Sequence, residues 1–192
     1  MSSFLRFAGI AAFIVSLGLA VQALSYVPDV KIPVPCGTDA ISKVIIKLVV
    51  DGGLEVKLRA LLALKTIAEI KIALAVITGL FRGCAADLLK IGAGVVAETE
   101  ATTSIVACFS AIITLFVKIF LQLSVKFGIT AVVDLCAEID VVIRECLVNL
   151  EVCIAGVLAL IVKACLYITV SVLAHLKLDL CADVLAHAGM SA

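Results

Sequence analysis

Apolar residues fill most of the chain, and the polar residues among them recur at every fourth position. In the stretch 108–138 this spacing places a narrow polar row along a helix whose other positions are mostly Ile, Leu, Val and Phe. The row consists of Ser110, Thr114, Lys118, Gln122 and Lys126. A second row has the same spacing, at Lys163, Tyr167, Ser171, His175 and Asp179. The pattern predicts helices that contact water along one thin side.

Helical spacing and breaker residues predict the other elements as well. The predicted helical segments are `TDAISKVIIKLVVDGG`, Leu54–Phe81 with a kink near Ala68, `CAADLLKIGAG`, the stretch from Cys108 to about Phe127, Cys136–Leu150, Cys153–Lys177 and a short turn from Cys181. The segment `AETEATTS` is predicted to be a loop, in which Thr102, Thr103 or Ser104 caps the following helix. Many residues are β-branched, but the alternation typical of strands is mostly missing. The sequence therefore predicts an all-α fold.

The chain also repeats itself. When 108–137 is shifted by 45 positions onto 153–182, ten of thirty residues are identical. Four related segments, `CGTDAI`, `CAADLL`, `CAEID` and `CADVL`, begin at Cys36, Cys84, Cys136 and Cys181. An acidic residue shortly after each cysteine suits a helix N-terminus. We therefore expect a bundle of two to three tandem helical hairpins, each about 45–52 residues long and opened by a cysteine.

Composition makes this an unusually apolar chain. It has 192 residues, of which 64% are hydrophobic, and its formal net charge is zero. The mean hydropathy of +1.30 exceeds what a soluble domain usually has. Without a basic excess to contact a phosphate backbone, the sequence predicts no nucleic-acid partner.

The N-terminus predicts export. Residues 1–25 have a short segment with one positive charge, an apolar stretch and small residues that suit cleavage after Ala23 or Ser25. The alternative is a signal anchor that stays attached. A proline-containing, extended leader is expected over 26–36, and a single helical-bundle domain over 37–192. The expected location is outside the cell or in the cell wall.

Eight cysteines in an exported chain predict disulfides, with free apolar thiols as the alternative. The candidates are Cys36, Cys84, Cys108, Cys136, Cys146, Cys153, Cys165 and Cys181. Two cysteines 28 positions apart on one continuous helix are separated by about 42 Å, so bonds must join neighbouring helices. The chain has no CxxC motif, and we expect no metal site and no cofactor. It has no phosphate-binding loop either, and a Cys–His pair with His175 or His187 is disfavoured, so we expect no catalytic residues and no enzyme activity.

The apolar sides of these helices are too wide for a small bundle to bury completely. The sequence therefore predicts an amphiphilic structural protein that acts by surface activity, self-association or adhesion at a cell-wall or apolar interface. Its expected partners are copies of itself, an apolar surface or lipid, with membrane contact possible. A carrier of lipid or another apolar ligand and a multi-pass membrane protein are the alternatives.

Two segments carry a resemblance to a known group of proteins. `MSSFLRFAGIAAFIVSLGLAVQALS` and the texture of `CIAGVLALIVKACLYITVSVLAH` resemble the small secreted, hydrophobic, cysteine-containing proteins of mushroom-forming fungi, which include hyphal-attachment and cell-wall-associated proteins. The resemblance implies an extracellular structural or adhesive role without enzyme activity. Hydrophobins differ because their adjacent Cys-Cys pairs are absent here. Saposin-like domains differ because they usually have six cysteines, with a close pair at each end.

Overall fold

The computed structural model describes residues 30–93, 99–165 and 183. These residues contain helices and no strand, which confirms the predicted all-α class for this part of the chain. Its α-helices are α1 (Ala40–Ile46), α2 (Leu54–Ala60), α3 (Ile67–Ile91), α4 (Thr99–Phe127), α5 (Ile129–Cys153) and α6 (Val157–Ala164). The predicted signal peptide 1–25, Cys181, His175 and His187 lie outside the described residues.

Helix α1 begins where the sequence predicts. The Asp39 carboxylate caps it by accepting hydrogen bonds from the Ser42 backbone N–H at 2.9 Å and from the Ser42 hydroxyl at 2.6 Å. Residues 31–38 before it are not helical, and they contact the helices that follow. The Ile32 N–H donates to Glu55 Oε2 at 2.9 Å, and the buried Ile32 side chain joins the core.

The chain between α1 and α3 has more interruptions of helical structure than the sequence predicts. A short π-helical turn, Lys47–Asp51, follows α1 and ends at Gly52 and Gly53. Gly53 has a φ of 58°, a conformation that glycine adopts without steric cost. After α2, a 3₁₀ turn at Leu61–Ala63 and an extended Leu64 separate two helices where the sequence predicts one segment with a kink.

Helix α3 then begins with a reciprocal cap that the sequence analysis missed. The Thr66 hydroxyl accepts from the Glu69 N–H at 3.2 Å, and the Glu69 carboxylate accepts from the Thr66 N–H at 3.0 Å. The Thr-x-x-Glu spacing is the sequence signature of this capping box. The helix then runs unbroken to Ile91, so Cys84–Ile91, the predicted separate helix, is its last part.

Helix α4 forms the centre of the core. Phe109, Phe116 and Phe120 are fully or almost fully buried, and the last two stack with their ring centroids 4.1 Å apart. The predicted end at Phe127 is confirmed, because Gly128 follows with a φ of 88°. The predicted start is wrong: α4 begins at Thr99, so Thr102, Thr103 and Ser104 lie inside it and do not cap it.

Among the predicted openers that the structure describes, Cys36, Cys84 and Cys136, the expected role holds only at Cys36, three residues before the cap of α1. Cys84 lies inside α3 and Cys136 inside α5, so neither begins a helix. Cys153 ends α5 and is followed by a turn at Ile154–Gly156, whereas its repeat partner Cys108 lies within α4. The hairpin repeat therefore stays a prediction.

Candidate functional site

Helix α3 is apolar on two opposite sides. Its inner side packs into the core through side chains that are at most 4% exposed. These are Ile70, Leu74, Ile77, Thr78, Phe81, Cys84, Ala85 and Leu88. This side supplies the hydrophobic contact that holds the helix to the rest of the fold.

The outer side of α3 carries a second apolar row, which we call the outer row. It consists of Ala68, Ile72, Ala75, Val76, Gly79, Gly83, Ala86 and Leu89, all of them exposed. Ile72 is 73% exposed and Leu89 is 67% exposed. At 1.5 Å per residue the outer row is about 30 Å long, and it covers roughly 140° of the helix circumference. An apolar strip of this length facing outward is unusual for a monomeric soluble protein.

Charged side chains border the outer row. By helical spacing Lys71 and Arg82 lie on the side of the outer row that carries Leu89, and Glu69 and Asp87 lie along the other border. The exposed Lys90 lies at the C-terminal end of the row. The Asp87 carboxylate pairs with Lys47 at 3.0 Å and with Lys90 at 2.9 Å. The hydrogen bond from Lys90 and then that from Lys47 lower the pKa of Asp87. These polar borders keep the helix compatible with water while its apolar strip stays exposed.

A shallow groove runs beside Gly79 and Gly83. Its volume is about 120 Å³, and its lining includes Val44 and Leu48 from the segment before α2. A Cβ atom placed on either glycine would meet no neighbouring atom within 4 Å. The backbone of α3 is therefore open to close approach from outside at these two positions.

The polar row of α4 lies along the less buried side of the helix, because Thr114, Lys118 and Gln122 are half-buried and Lys126 is exposed, and the sequence prediction fails only at Ser110. Ser110 is only 7% exposed, and its hydroxyl donates to the Val106 carbonyl of its own helix at 2.7 Å. Thr114 is half-buried and donates to the Ser110 carbonyl at 2.7 Å. Within this row only Lys126 is exposed. A hydroxyl that bonds to the backbone one turn earlier needs no water, and for this reason the prediction is wrong at Ser110.

Lys126 instead ties the end of α4 to the link before α3. Its ammonium group donates to the carbonyl oxygens of Leu62 at 3.1 Å and Leu64 at 2.6 Å. In the second predicted row, Lys163 is exposed, and the other four residues lie outside the described part of the chain.

Two helices, α3 and α4, are long and apolar enough to cross a membrane by length and composition alone. The most apolar window of α4 is 67% buried within the fold, whereas that of α3 is 39% buried. The 67% burial of α4 is typical of the core helix of a soluble protein. Of these two helices, α3 is therefore the one whose apolar surface is still largely uncovered.

Helices α3 and α5 lie side by side and run parallel. Three side chains of α5 donate hydrogen bonds to carbonyl groups about one turn apart on α3. The residue numbers rise together on the two helices, as they do when helices run parallel. The bonds are Cys146 Sγ to Phe81 O at 3.2 Å, Asn149 Nδ2 to Ala85 O at 2.9 Å and Cys153 Sγ to Leu88 O at 3.4 Å. Contacts from short side chains to the partner backbone require the two helices to lie close together.

Three cysteines meet where α3 and α5 pack against α4. Cys146 of α5 and Cys108 of α4 both lie near Cys84 of α3. The neighbouring Cys84 side chain and then burial raise the pKa of Cys146. Burial and the neighbouring Cys84 raise the pKa of Cys108 to about 12. The thiols of Cys108 and Cys146 are therefore protonated at neutral pH and weak nucleophiles in the folded protein.

The other described cysteines have neighbours of different kinds. Cys36 is exposed, and its backbone N–H donates to the Ser104 hydroxyl at 3.1 Å. Burial and then the Asp140 carboxylate raise the pKa of Cys136, while Cys165 is buried beside Ser110. No two described cysteines are joined by a bond, so a disulfide network stays a prediction. Among residues 30–93, 99–165 and 183, no three His, Cys, Asp or Glu side chains are placed to hold a metal ion.

Comparison with known proteins adds no relative. No family model, no curated protein and no solved structure matches the chain. The outer row of α3 was missed by the sequence analysis, although the spacing of Ala68, Ile72, Ala75 and Val76 could have revealed it. The pairing of Cys84 with Cys146 was not specified either, because it depends on how two distant helices pack.

Proposed function

We propose that this chain is a secreted amphiphilic structural protein that acts by adsorption, self-association or adhesion at an apolar or cell-wall interface. The observation that carries the proposal is the outer row of α3, an exposed apolar strip on a helix whose opposite side is already anchored in the core. Burying such a strip against another apolar surface stabilises the contact by about 25 cal/mol per Å².

The border charges support adsorption from water. Lys71, Arg82 and Glu69 are exposed and stay hydrated while the strip between them contacts an apolar phase. A helix with this division lies flat in an interface and does not need to cross it. Export through the N-terminal segment, a fungal cell-wall setting and disulfide cross-links complete the proposal, and they rest on the sequence features alone.

Fractionation of expressing cells tests the export, and drop tensiometry tests the activity. We expect protein in the medium with an intact mass that lacks residues 1–23 or 1–25, and a fall in air–water surface tension when it is added. A full-length chain recovered only from the membrane pellet after a carbonate wash would contradict the proposal. It would favour the multi-pass alternative, with which the length and apolar composition of α3 and α4 are compatible.

The lipid-carrier alternative receives less support. The groove beside Gly79 and Gly83 has a volume of about 120 Å³. Pockets that enclose small ligands usually measure about 300–1,000 Å³. A stoichiometric lipid in an organic extract of the purified protein would nevertheless restore this alternative.

A further inference from the structure

The contact between Cys84 and Cys146 joins helices that are far apart in sequence. Cys84 is 4% exposed and Cys146 is fully buried, and Cys84 lies between Phe81 and Ala85, the two residues of α3 whose carbonyl groups α5 contacts here. The parallel register of α3 and α5 is fixed on both sides of the pair. The Cys146 thiol reaches Phe81 O, and one turn further along Asn149 reaches Ala85 O at 2.9 Å.

We propose that Cys84 and Cys146 form an intramolecular disulfide that links α3 to α5 when the chain folds in an oxidising environment. The bond requires the two sulfur atoms to approach to bonding distance, and the close packing of α3 and α5 at this register favours that approach. It rests on the export assumed in the proposed function, because the cytosol keeps thiols reduced.

The oxidant is a small disulfide such as oxidised glutathione. One cysteine thiolate attacks it, which forms a mixed disulfide and releases one glutathione thiolate. The second cysteine thiolate then attacks the protein sulfur of the mixed disulfide and releases the second glutathione. Two protein thiols and one oxidised glutathione thus become one protein disulfide and two reduced glutathiones.

The burial of the two thiols determines when the disulfide can form. In the folded, reduced protein both thiols are buried and that of Cys146 is protonated, so exchange with an external disulfide is slow. The bond therefore forms during folding, before the α3–α5 contact closes around the sulfurs. Once formed, it is equally shielded from external reductants.

Cys108 is the competing partner for Cys84, because its sulfur lies nearby on α4. The register of the two helices favours Cys146, because Cys146 and Asn149 of α5 contact the carbonyl groups on either side of Cys84. Cys153 must also be distinguished from Cys146, because both cysteines lie on the same tryptic peptide. A mapping experiment must therefore separate these three cysteines.

The test is oxidative refolding of the purified full chain in a mixture of reduced and oxidised glutathione, followed by alkylation, trypsin digestion and mass spectrometry. We expect peptide 83–90 linked to peptide 145–163, with fragmentation between the two cysteines of 145–163 placing the bond at Cys146. Reduction should release both peptides. The Cys108→Ala variant should keep the link, and Cys146→Ala should lose it.

Either of two results overturns the proposal: peptide 83–90 linked to 91–118, which contains Cys108, or peptide 83–90 alkylated at Cys84 in refolded chain. The decisive map uses the unaltered chain, so it does not depend on whether a variant folds. Refolding in vitro also separates this proposal from export: a correct link in a chain that cells never secrete would leave the disulfide standing and remove the secreted function.

Discussion

The outer row of α3 gives the sharpest prediction. Replacing Ile72, Val76 and Leu89 together by Ser removes its three large side chains, which are 73%, 51% and 67% exposed. Full burial of one such side chain is worth about 1.5–3 kcal/mol. The exposed portions amount to roughly two complete side chains, so adsorption should weaken by about 3–6 kcal/mol. This corresponds to a loss of about two to four orders of magnitude in the adsorption equilibrium constant.

A matched control separates the outer row from general hydrophobicity. Val56, Val125 and Val152 are 74%, 66% and 51% exposed, but they lie on three different helices. Replacing all three by Ser removes a similar exposed fraction without altering α3. We expect this variant to adsorb nearly as well as the unaltered protein, because scattered single apolar residues do not form a common contact surface.

Drop tensiometry over a range of protein concentrations measures the difference. The α3 triple variant should need at least about 100-fold more protein to reach half of the maximal fall in surface tension. Both triple variants should unfold at nearly the same urea concentration as the parent, since surface substitutions usually change stability by less than about 0.5 kcal/mol each.

The inner side of the same helix supplies the opposite control. Leu74 is 1% exposed, so Leu74→Ala should lower the free energy of unfolding by about 2–5 kcal/mol. Equal weakening of adsorption by the two triple variants would refute the reasoning, because the interface would then not distinguish α3 from the rest of the surface.

Three further predictions concern the placement of α3. Thr66→Ala removes its cap and should lower the free energy of unfolding by about 1 kcal/mol in urea titrations, whereas Thr103→Ala, inside α4, should cost less. Asn149→Ala removes the bond to Ala85 O and should cost about 0.5–1.5 kcal/mol by the same titration; an unchanged midpoint would show that this contact adds nothing. The folded-state pKa of Asp87 lies below its ordinary value of 3.8, so its ion pairs stabilise the fold above that pH and are lost as the pH falls through the folded-state pKa. Urea midpoints should therefore decline less between pH 7 and pH 3 in Asp87→Asn than in the parent protein.

Local signals in the sequence predict the ends of helices well. Asp39 caps α1 and Gly128 ends α4, as their chemistry requires, because caps and glycine stops depend on neighbouring residues only. Thr66 and Glu69 carry an equally local signal, and the capping box could have been recognised from their spacing.

The solvent-facing side of each helix was harder to predict. The sequence predicts that Ser110 faces water, but its hydroxyl group is satisfied by the backbone of α4 and the side chain is buried. On α3, Ile72 and Val76 are apolar and nevertheless face outward. Hydropathy periodicity identifies a helix, whereas the side that packs inward is decided by the neighbours it meets.

The partner of a cysteine depends on the same long-range information. Cys84 and Cys146 lie about 60 residues apart, and a single sequence does not contain the register of the two helices that bring them together. Cys146 and Cys153 instead contact carbonyl groups of α3 at 3.2 and 3.4 Å, contacts that no spacing rule along α5 predicts.

The difference in burial between the two long apolar helices, α3 and α4, fits the proposed secreted protein better than a multi-pass membrane protein. The most apolar window of α4 has a mean hydropathy of 2.3 and is 67% buried, while that of α3 has a mean hydropathy of 1.7 and is 39% buried. In a bilayer no hydrophobic effect drives the greasier helix inward, because lipid tails are as apolar as its side chains. In water that drive exists, and it places α4 at the centre. The outer row of α3, on the less apolar of the two helices, remains exposed; it includes Gly79 and Gly83 and is bordered by charged side chains. Such a surface suits a protein that stays dissolved until it contacts an apolar surface.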